Sequence, residues 1–229
     1  MESHIETYYE KLAPKYDANR FGNSYGSFIH EQEIAVLKKI LKEHDPKTSL
    51  DLACGTGRLM QFSDTGLDIS PAMVKISSDK FPSKKFQIGN ALNTQFPNES
   101  FQTIICFHFL MHLDERTTGL FLKEAFRLLK PGGHLIFDIP SKHRRIFTNH
   151  HQKGWHGAND LTVGEILSLT CRNWILRKYE GIMFFPIHRM PVWIRAKLRW
   201  IDSLFCKSIF RKNASYLIFK LEKKWPLNY

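Results

Sequence analysis

The sequence lacks any close pairing of cysteines. Its four, Cys54, Cys106, Cys171 and Cys206, are widely scattered with no CxxC among them, so neither a zinc site nor a disulfide framework is indicated. It lacks a long apolar run as well: TIICFHFLMHL, starting at Thr103, is too short and too interrupted to span a bilayer. The opening MESHIETYYEKLAPKYD is too polar for a signal peptide, so a reduced, cytoplasmic protein is expected. No GK[ST] follows the one glycine-rich turn, which argues against a phosphate-cradling loop. Acid is scarce in one region only. Residues 1–140 carry 16 basic and 17 acidic side chains, leaving 17 of the 33 basic but only 5 of the 22 acidic ones for residues 141–229. That asymmetry suggests that the two parts meet different things, although a solvated basic surface would look the same.

What is present is an ordinary globular composition, 43% hydrophobic and 24% charged over 229 residues, enough for one domain with a good core. Residues 4–20 and 28–44 read as helices, the second stopped by Asp45-Pro46. Strands are expected at 49–53, 65–69, 86–88, 101–107, 134–139 and 216–221. Between them, Ser70-Pro71 opens a helix to about Lys80. A further helix at 115–129 is ended by Lys130-Pro131-Gly132-Gly133. Strands alternating with helices imply right-handed crossovers and a largely parallel sheet.

The stretch LDLACGTGRLMQFSDTGLDIS, residues 50–70, is half of a dinucleotide fingerprint. Gly55 and Gly57 are there, but Met60 stands where the third small residue belongs, and Asp68 follows Gly57 too soon. A dinucleotide oxidoreductase is disfavoured accordingly. Gly55, Gly57, Asp68, Asn90 and Phe107 all fall just beyond strand ends, where ligands of such sheets bind. A carboxylate at 68 suits a cis-diol such as ribose. Asp51, beside the turn, repels phosphate and attracts an amine or sulfonium. The ligand implied is a nucleoside carrying an amino acid and a positive charge.

LDLACGTGRL, GLDISPAM, FPNESFQTIICFHFLMHL and LLKPGGHLIFD, in that order, resemble successive motifs of the class I S-adenosylmethionine-dependent methyltransferases. The resemblance covers residues 8–139. It implies a Rossmann-like α/β fold, a largely parallel seven-stranded sheet flanked by helices, with an N-terminal helical lid and a C-terminal helical insertion. It implies S-adenosyl-L-methionine as cofactor, held by Tyr16, Asp51, Cys54, Gly55, Gly57, Asp68, Ile69, Asn90, Ala91, Leu92 and Phe107. By the same resemblance Asp68 takes the ribose hydroxyls, Ile69 flanks the adenine, residues 90–92 meet its edge, and Tyr16 closes over the cofactor. Two positions depart from the family: Asn90 stands where Asp is usual and Gln102 where Asp is common. A single domain is expected, divided into a lid (1–45), a cofactor-binding core (46–140), an acceptor-side region (141–213) and a final strand with its tail (214–229).

Methyl transfer needs alignment and dryness more than acid–base chemistry, and a base only when the acceptor is a hydroxyl or a protonated amine. His112, near the fourth strand end, is the first candidate for it and His156 the second. His108 reads as a core histidine. His150, His151 and His156 match no common metal-ligand spacing, so no metal is expected. The acceptor is expected to be a small or lipid-like molecule. RNA is the alternative acceptor, disfavoured by the lack of a recognisable RNA-binding module, and a non-catalytic cofactor-binding module is the other alternative. Oligomeric state is not legible. Residues 191–212, PVWIRAKLRWIDSLFCKSIFRK, form a basic amphipathic helix with Ile194, Leu198, Ile201, Phe205 and Ile209 on one face, widened by Trp193, Trp200 and Leu204. It is expected to pack over the acceptor pocket, with a rim able to make weak, salt-sensitive contact with an anionic membrane.

Overall fold

A short run without a polar break, Ser49–Leu52, buries all four of its residues and becomes the central strand β1. The computed structural model describes residues 2–149 and 157–225. Beyond β1 the strands are β2 (Thr65–Asp68), β3 (Lys85–Ile88), β4 (Phe101–Cys106), β5 (Leu129–Pro140), β6 (Trp174–Ile182) and β7 (Tyr216–Lys223). They form one seven-stranded sheet in the order β3-β2-β1-β4-β5-β7-β6. β1 to β5 are parallel, and β7 runs antiparallel to both neighbours. The fold class read from the sequence holds. Strand order reverses direction between β1 and β4, so the crevice beyond their carboxyl ends is the place for a ligand.

The helices are α1 (Glu2–Leu12), α2 (Tyr16–Arg20), α3 (Ser24–Ile40), α4 (Pro71–Lys80), α5 (Glu115–Leu128), α6 (Lys142–Phe147), α7 (Val163–Thr170) and α8 (Val192–Lys207). Two apolar cores flank the sheet. One joins Leu52, Ile104 and Phe137 to Phe121 of α5 and Ile166 of α7; the other joins Ile105, Ile136 and Ile218 to Phe28 and Leu37 of α3. α4 has the bounds expected, because the Ser70 hydroxyl accepts the Met73 N–H at 3.2 Å and Pro71 fits the first turn.

Several expectations need correction. The helix expected over 4–20 is broken by a 3-10 turn at Ala13–Lys15, which contains Pro14. α3 begins early because the Asn23 side chain caps it, accepting from the N–H groups of Tyr25 and Gly26. β5 starts at Leu129, not His134: Lys130-Pro131-Gly132-Gly133 is a bulged part of the strand, with Gly132 at φ 73° and a register shift opposite it. β6, α6 and α7 were not foreseen.

The faces of α8 also differ from expectation. Its one acid, Asp202, is fully buried and accepts from Gln32 Nε2 of α3 at 2.6 Å and from the Phe185 N–H at 2.7 Å. This fixes the inward side, where Leu198 and Cys206 lie beside it. Trp193, Trp200 and Leu204 therefore do not widen the inner apolar face; they lie on the opposite side and are exposed. Arg195 is tied to Ser24, Met190 and His188, and Arg199 pairs with Glu31.

Candidate active site

Two adjoining cavities open beyond the carboxyl ends of β1, β2 and β4. The larger spans about 800 Å³ and the smaller about 340 Å³, both including space open to solvent, and both are lined by Tyr16, Ala53, Gly55, Phe107 and His108. The expected residues divide between them. Asp68, Ile69, Asn90, Ala91 and Leu92 line the larger, together with His112, while Asp51 and Cys54 line the smaller. Gly57 lines neither. Its missing side chain instead leaves room for Ser77 of α4 and for Phe81 just past its end, which would stand 3.0–3.1 Å from a Cβ there. Two non-glycine residues at these strand ends hold positive φ, Ala53 at 63° and His108 at 57°. Such strain is sustained where the surroundings over-determine the backbone, as they do at binding sites.

Asp68 organises the turn. Its carboxylate accepts the Gly55 N–H at 2.8 Å and the Ser70 N–H at 3.0 Å, so the end of β2 fixes the loop after β1. Burial pushes its carboxyl up, against those hydrogen bonds. A carboxylate has about four acceptor positions, and backbone N–H groups of Gly55, Ser70 and Ile69 draw on it without filling them all. At Gly55, φ is 53° and a Cβ would meet nothing within 4 Å, so the backbone faces open cavity.

Asp51 has a different character. It is 2% exposed, and its Oδ2 has no hydrogen-bond partner among the described residues. Burial, only partly offset by Arg58, pushes its carboxyl up to about 7. Below about pH 3.8 the folded and unfolded chains both hold this proton, and the group contributes nothing to the pH dependence of stability. Between there and about 7 the unfolded chain has lost it and the folded chain has not, so this group's contribution to stability falls as pH rises. Asp51→Asn should therefore raise the melting temperature of the ligand-free protein well above neutrality and leave it nearly unchanged near the unfolded value. Thermal melts across that pH range check this; an unaltered difference between variant and parent at all pH values would show that Asp51 is not the titrating group.

A buried ionic cluster lies beside the smaller cavity. Glu33, on the inward stripe of α3, pairs with Arg58 through one oxygen. Its Oε1 stands 2.7 Å from His108 Nε2, an ion-pair contact not aligned as a hydrogen bond. The other ring nitrogen, Nδ1, is 3.5 Å from Asp138 Oδ2, and the His108 N–H donates to Asp138 Oδ1 at 2.6 Å. Burial alone would lower the His108 pKa, but the two carboxylates raise it; burial likewise raises Asp138, against the pull of His108. Burial would raise Glu33 too, and Arg58 and His108 hold it low. Glu33, His108 and Asp138 approach closely enough to suggest a metal. One ligand atom from each lies within 4.8 Å of the others, but in this structure the ring nitrogens face the two carboxylates directly, at 2.7 and 3.5 Å.

His112 sits in the wall of the larger cavity. Its Nδ1 accepts the Gly157 N–H at 3.1 Å, so Nε2 carries the proton and faces the Tyr9 hydroxyl at 2.9 Å. In this arrangement His112 positions Tyr9 and offers no free lone pair for a base. His156 lies outside the described residues. The members of the ionic cluster were missed in the sequence. The available signal was Glu33 itself, a charge on the same helical stripe as Ile29 and Leu37. No described residue of 141–213 lines either cavity.

Residues 50–137 match a family described as Methyltransferase domain. An uncharacterized protein of Methanocaldococcus jannaschii is 34% identical over 138 residues, 59% of this chain and 51% of that one. The demethylmenaquinone methyltransferase of Chlorobaculum parvum is 31% identical over 141 residues, 57% of each. The chain thus spans about half the length of these curated relatives. Among solved structures, a Thermotoga maritima S-adenosylmethionine-dependent methyltransferase, described as a possible histamine N-methyltransferase, superposes with a TM-score of 0.68. It is 18% identical, and 96% of this chain and 100% of that one are covered. Haemonchus contortus phosphoethanolamine N-methyltransferase 1, bound to phosphoethanolamine and S-adenosylhomocysteine, gives 0.65 at 14% identity over 99% of this chain and 50% of that one.

Proposed function

We propose that this chain is a class I S-adenosylmethionine-dependent methyltransferase that moves a methyl group from that cofactor to a nucleophilic O, N or C atom of a small or lipid-like acceptor. The observation that carries the reading is that the two cavities share Phe107 and His108 in their walls, with Asp68 lining the larger and both the buried Asp51 and the ionic cluster beside the smaller. The residues present fit the cofactor. Asp51 offers a buried negative oxygen to a cationic amino-acid portion, Gly55 lets the backbone approach, and Asp68 has acceptor positions left for a diol. Ile69, Ala91 and Leu92 give apolar walls for a purine, with Asn90 at its edge.

When bound, S-adenosylmethionine supplies a sulfonium-activated methyl group. The chain's own tasks are alignment, exclusion of water and proton removal. For proton removal the reading assigns His108 with Asp138. Of the two only His108 lines the cavities, so an acceptor hydroxyl would approach its ring there, with the buried Asp138 3.5 Å behind Nδ1. Its proton would pass to this pair while Glu33 and Arg58 keep the surroundings balanced. Relatives named for demethylmenaquinone and for phthiotriol dimycocerosates support an apolar acceptor. The test is formation of S-adenosylhomocysteine with a demethylmenaquinol-type acceptor, with small amines and with mixed RNA. Turnover is expected with the first; turnover confined to RNA would reject the reading.

Water exclusion falls to the N-terminal helices. Ile5, Tyr9 and Tyr16 line the larger cavity. Two latches hold this segment down: Glu10 accepts from the Ser70 hydroxyl at 2.5 Å and the Ala72 N–H at 3.1 Å, and Asp17 accepts from Thr56 and pairs with Lys80. Replacing Glu10 and Asp17 together by Ala should weaken cofactor binding about tenfold, the equivalent of one charged hydrogen bond lost net. Calorimetric titration of the folded double variant measures it, and unchanged affinity would remove the lid role.

A further inference from the structure

Large apolar side chains are exposed on α8 and its neighbours to an extent that folding does not explain. Trp193, Trp200 and Leu204 are 71%, 67% and 57% exposed and recur at helical spacing, seven and four residues apart, on the side opposite Asp202. The 3-10 turn that follows (Ile209–Asn213) adds Ile209 at 83%, and the end of α6 adds Phe147 at 78%. These elements adjoin: the Ser141 hydroxyl that caps α6 donates to the Lys212 carbonyl at 2.5 Å. Large apolar side chains gathered exposed on adjoining elements mark an interaction site.

The charge beside it selects the partner. On the helical wheel Lys197 and Lys207 share the outward side with Trp193, Trp200 and Leu204. Neither lysine makes an ion pair among the described residues, whereas Arg195 and Arg199 are engaged inward. Asp202, the only acid of α8, is buried on the far side. A second copy docked symmetrically would set the same lysines against themselves. A bilayer with anionic headgroups satisfies both features, because the tryptophans enter the interface and the ammonium groups meet the phosphates.

We propose that the outer face of α8 is a peripheral membrane-binding surface for anionic lipid. It stands on exposure and charge alone and does not depend on which acceptor is methylated. The full-length protein should co-sediment with mixed phosphatidylglycerol–phosphatidylcholine vesicles at low salt, be released at high salt, and ignore pure phosphatidylcholine. Lys197→Gln with Lys207→Gln should lower the low-salt partition coefficient about 30-fold, the effect of two basic side chains near an anionic surface. Trp193→Ala with Trp200→Ala should lower it at both salt concentrations. All four side chains point away from the core, so melting temperature and cofactor affinity should stay at parental values and report that each variant is folded. Absence of sedimentation by the parent at low salt would overturn the proposal. So would equal binding by parent and variants, or a face whose substitution affects only RNA binding or a concentration-dependent dimer.

Discussion

Asp68→Ala should raise the dissociation constant for S-adenosylmethionine by about a hundredfold or more. Two diol hydroxyls would face no acceptor, at about 1–3 kcal/mol for each buried hydrogen bond left unmade. The damage extends further, because the same carboxylate holds the Gly55 and Ser70 N–H groups and with them the shape of the turn. Asp68→Asn keeps one oxygen acceptor and should lose less, about tenfold. Calorimetric titration with far-UV circular dichroism as a folding control measures both. If the alanine variant bound as tightly as the parent, Asp68 would be only a structural clasp.

The second large effect is on turnover. His108→Asn should lower kcat by about 10²–10⁴-fold, the range typical of a lost acid–base group, while cofactor affinity moves by no more than about threefold. Asparagine is chosen because it tolerates the positive φ at this position, and its backbone N–H can still reach Asp138. Removing the imidazolium leaves two buried carboxylates against one guanidinium, so a loss of stability is expected as well. Asp138→Asn separates the two effects: it removes a charge instead of exposing one, and it should lose comparable turnover. In the parent, kcat should rise with pH through the elevated range of the His108–Asp138 pair, since the pair must be short of a proton to take one from the acceptor. The pair titrates as a unit, so the profile reports the pair and not one residue. A flat profile with undiminished kcat in both variants would assign the cluster a purely structural role.

Much of this was legible in the sequence because local chemistry and tertiary position agreed. Ser70-Pro71 specifies the start of α4 through a cap bond that the fold keeps. The glycine turn and Asp68 sit on consecutive strand ends, so adjacency in sequence became adjacency in space. The ionic cluster was less accessible: Glu33, Arg58, His108 and Asp138 come from four separate segments, and only the sheet brings them together. β6 escaped because it is the edge strand, paired on one side only, and its register shift near Lys178 blurs the alternation. The faces of α8 were misjudged because a mixed row of tryptophan, leucine and lysine has no single apolar side. The buried Asp202, which orients the helix, reads in sequence as a solvent-facing acid.

The fate of a labelled methyl group tests the central claim most directly. The protein is incubated with methyl-labelled S-adenosylmethionine, a total lipid extract and total RNA, and the label is followed into each fraction. The account predicts label in the organic-soluble fraction, abolished by Asp68→Ala and strongly reduced by His108→Asn. Label appearing only in RNA, or none transferred by a protein that calorimetry shows to bind the cofactor, would contradict it.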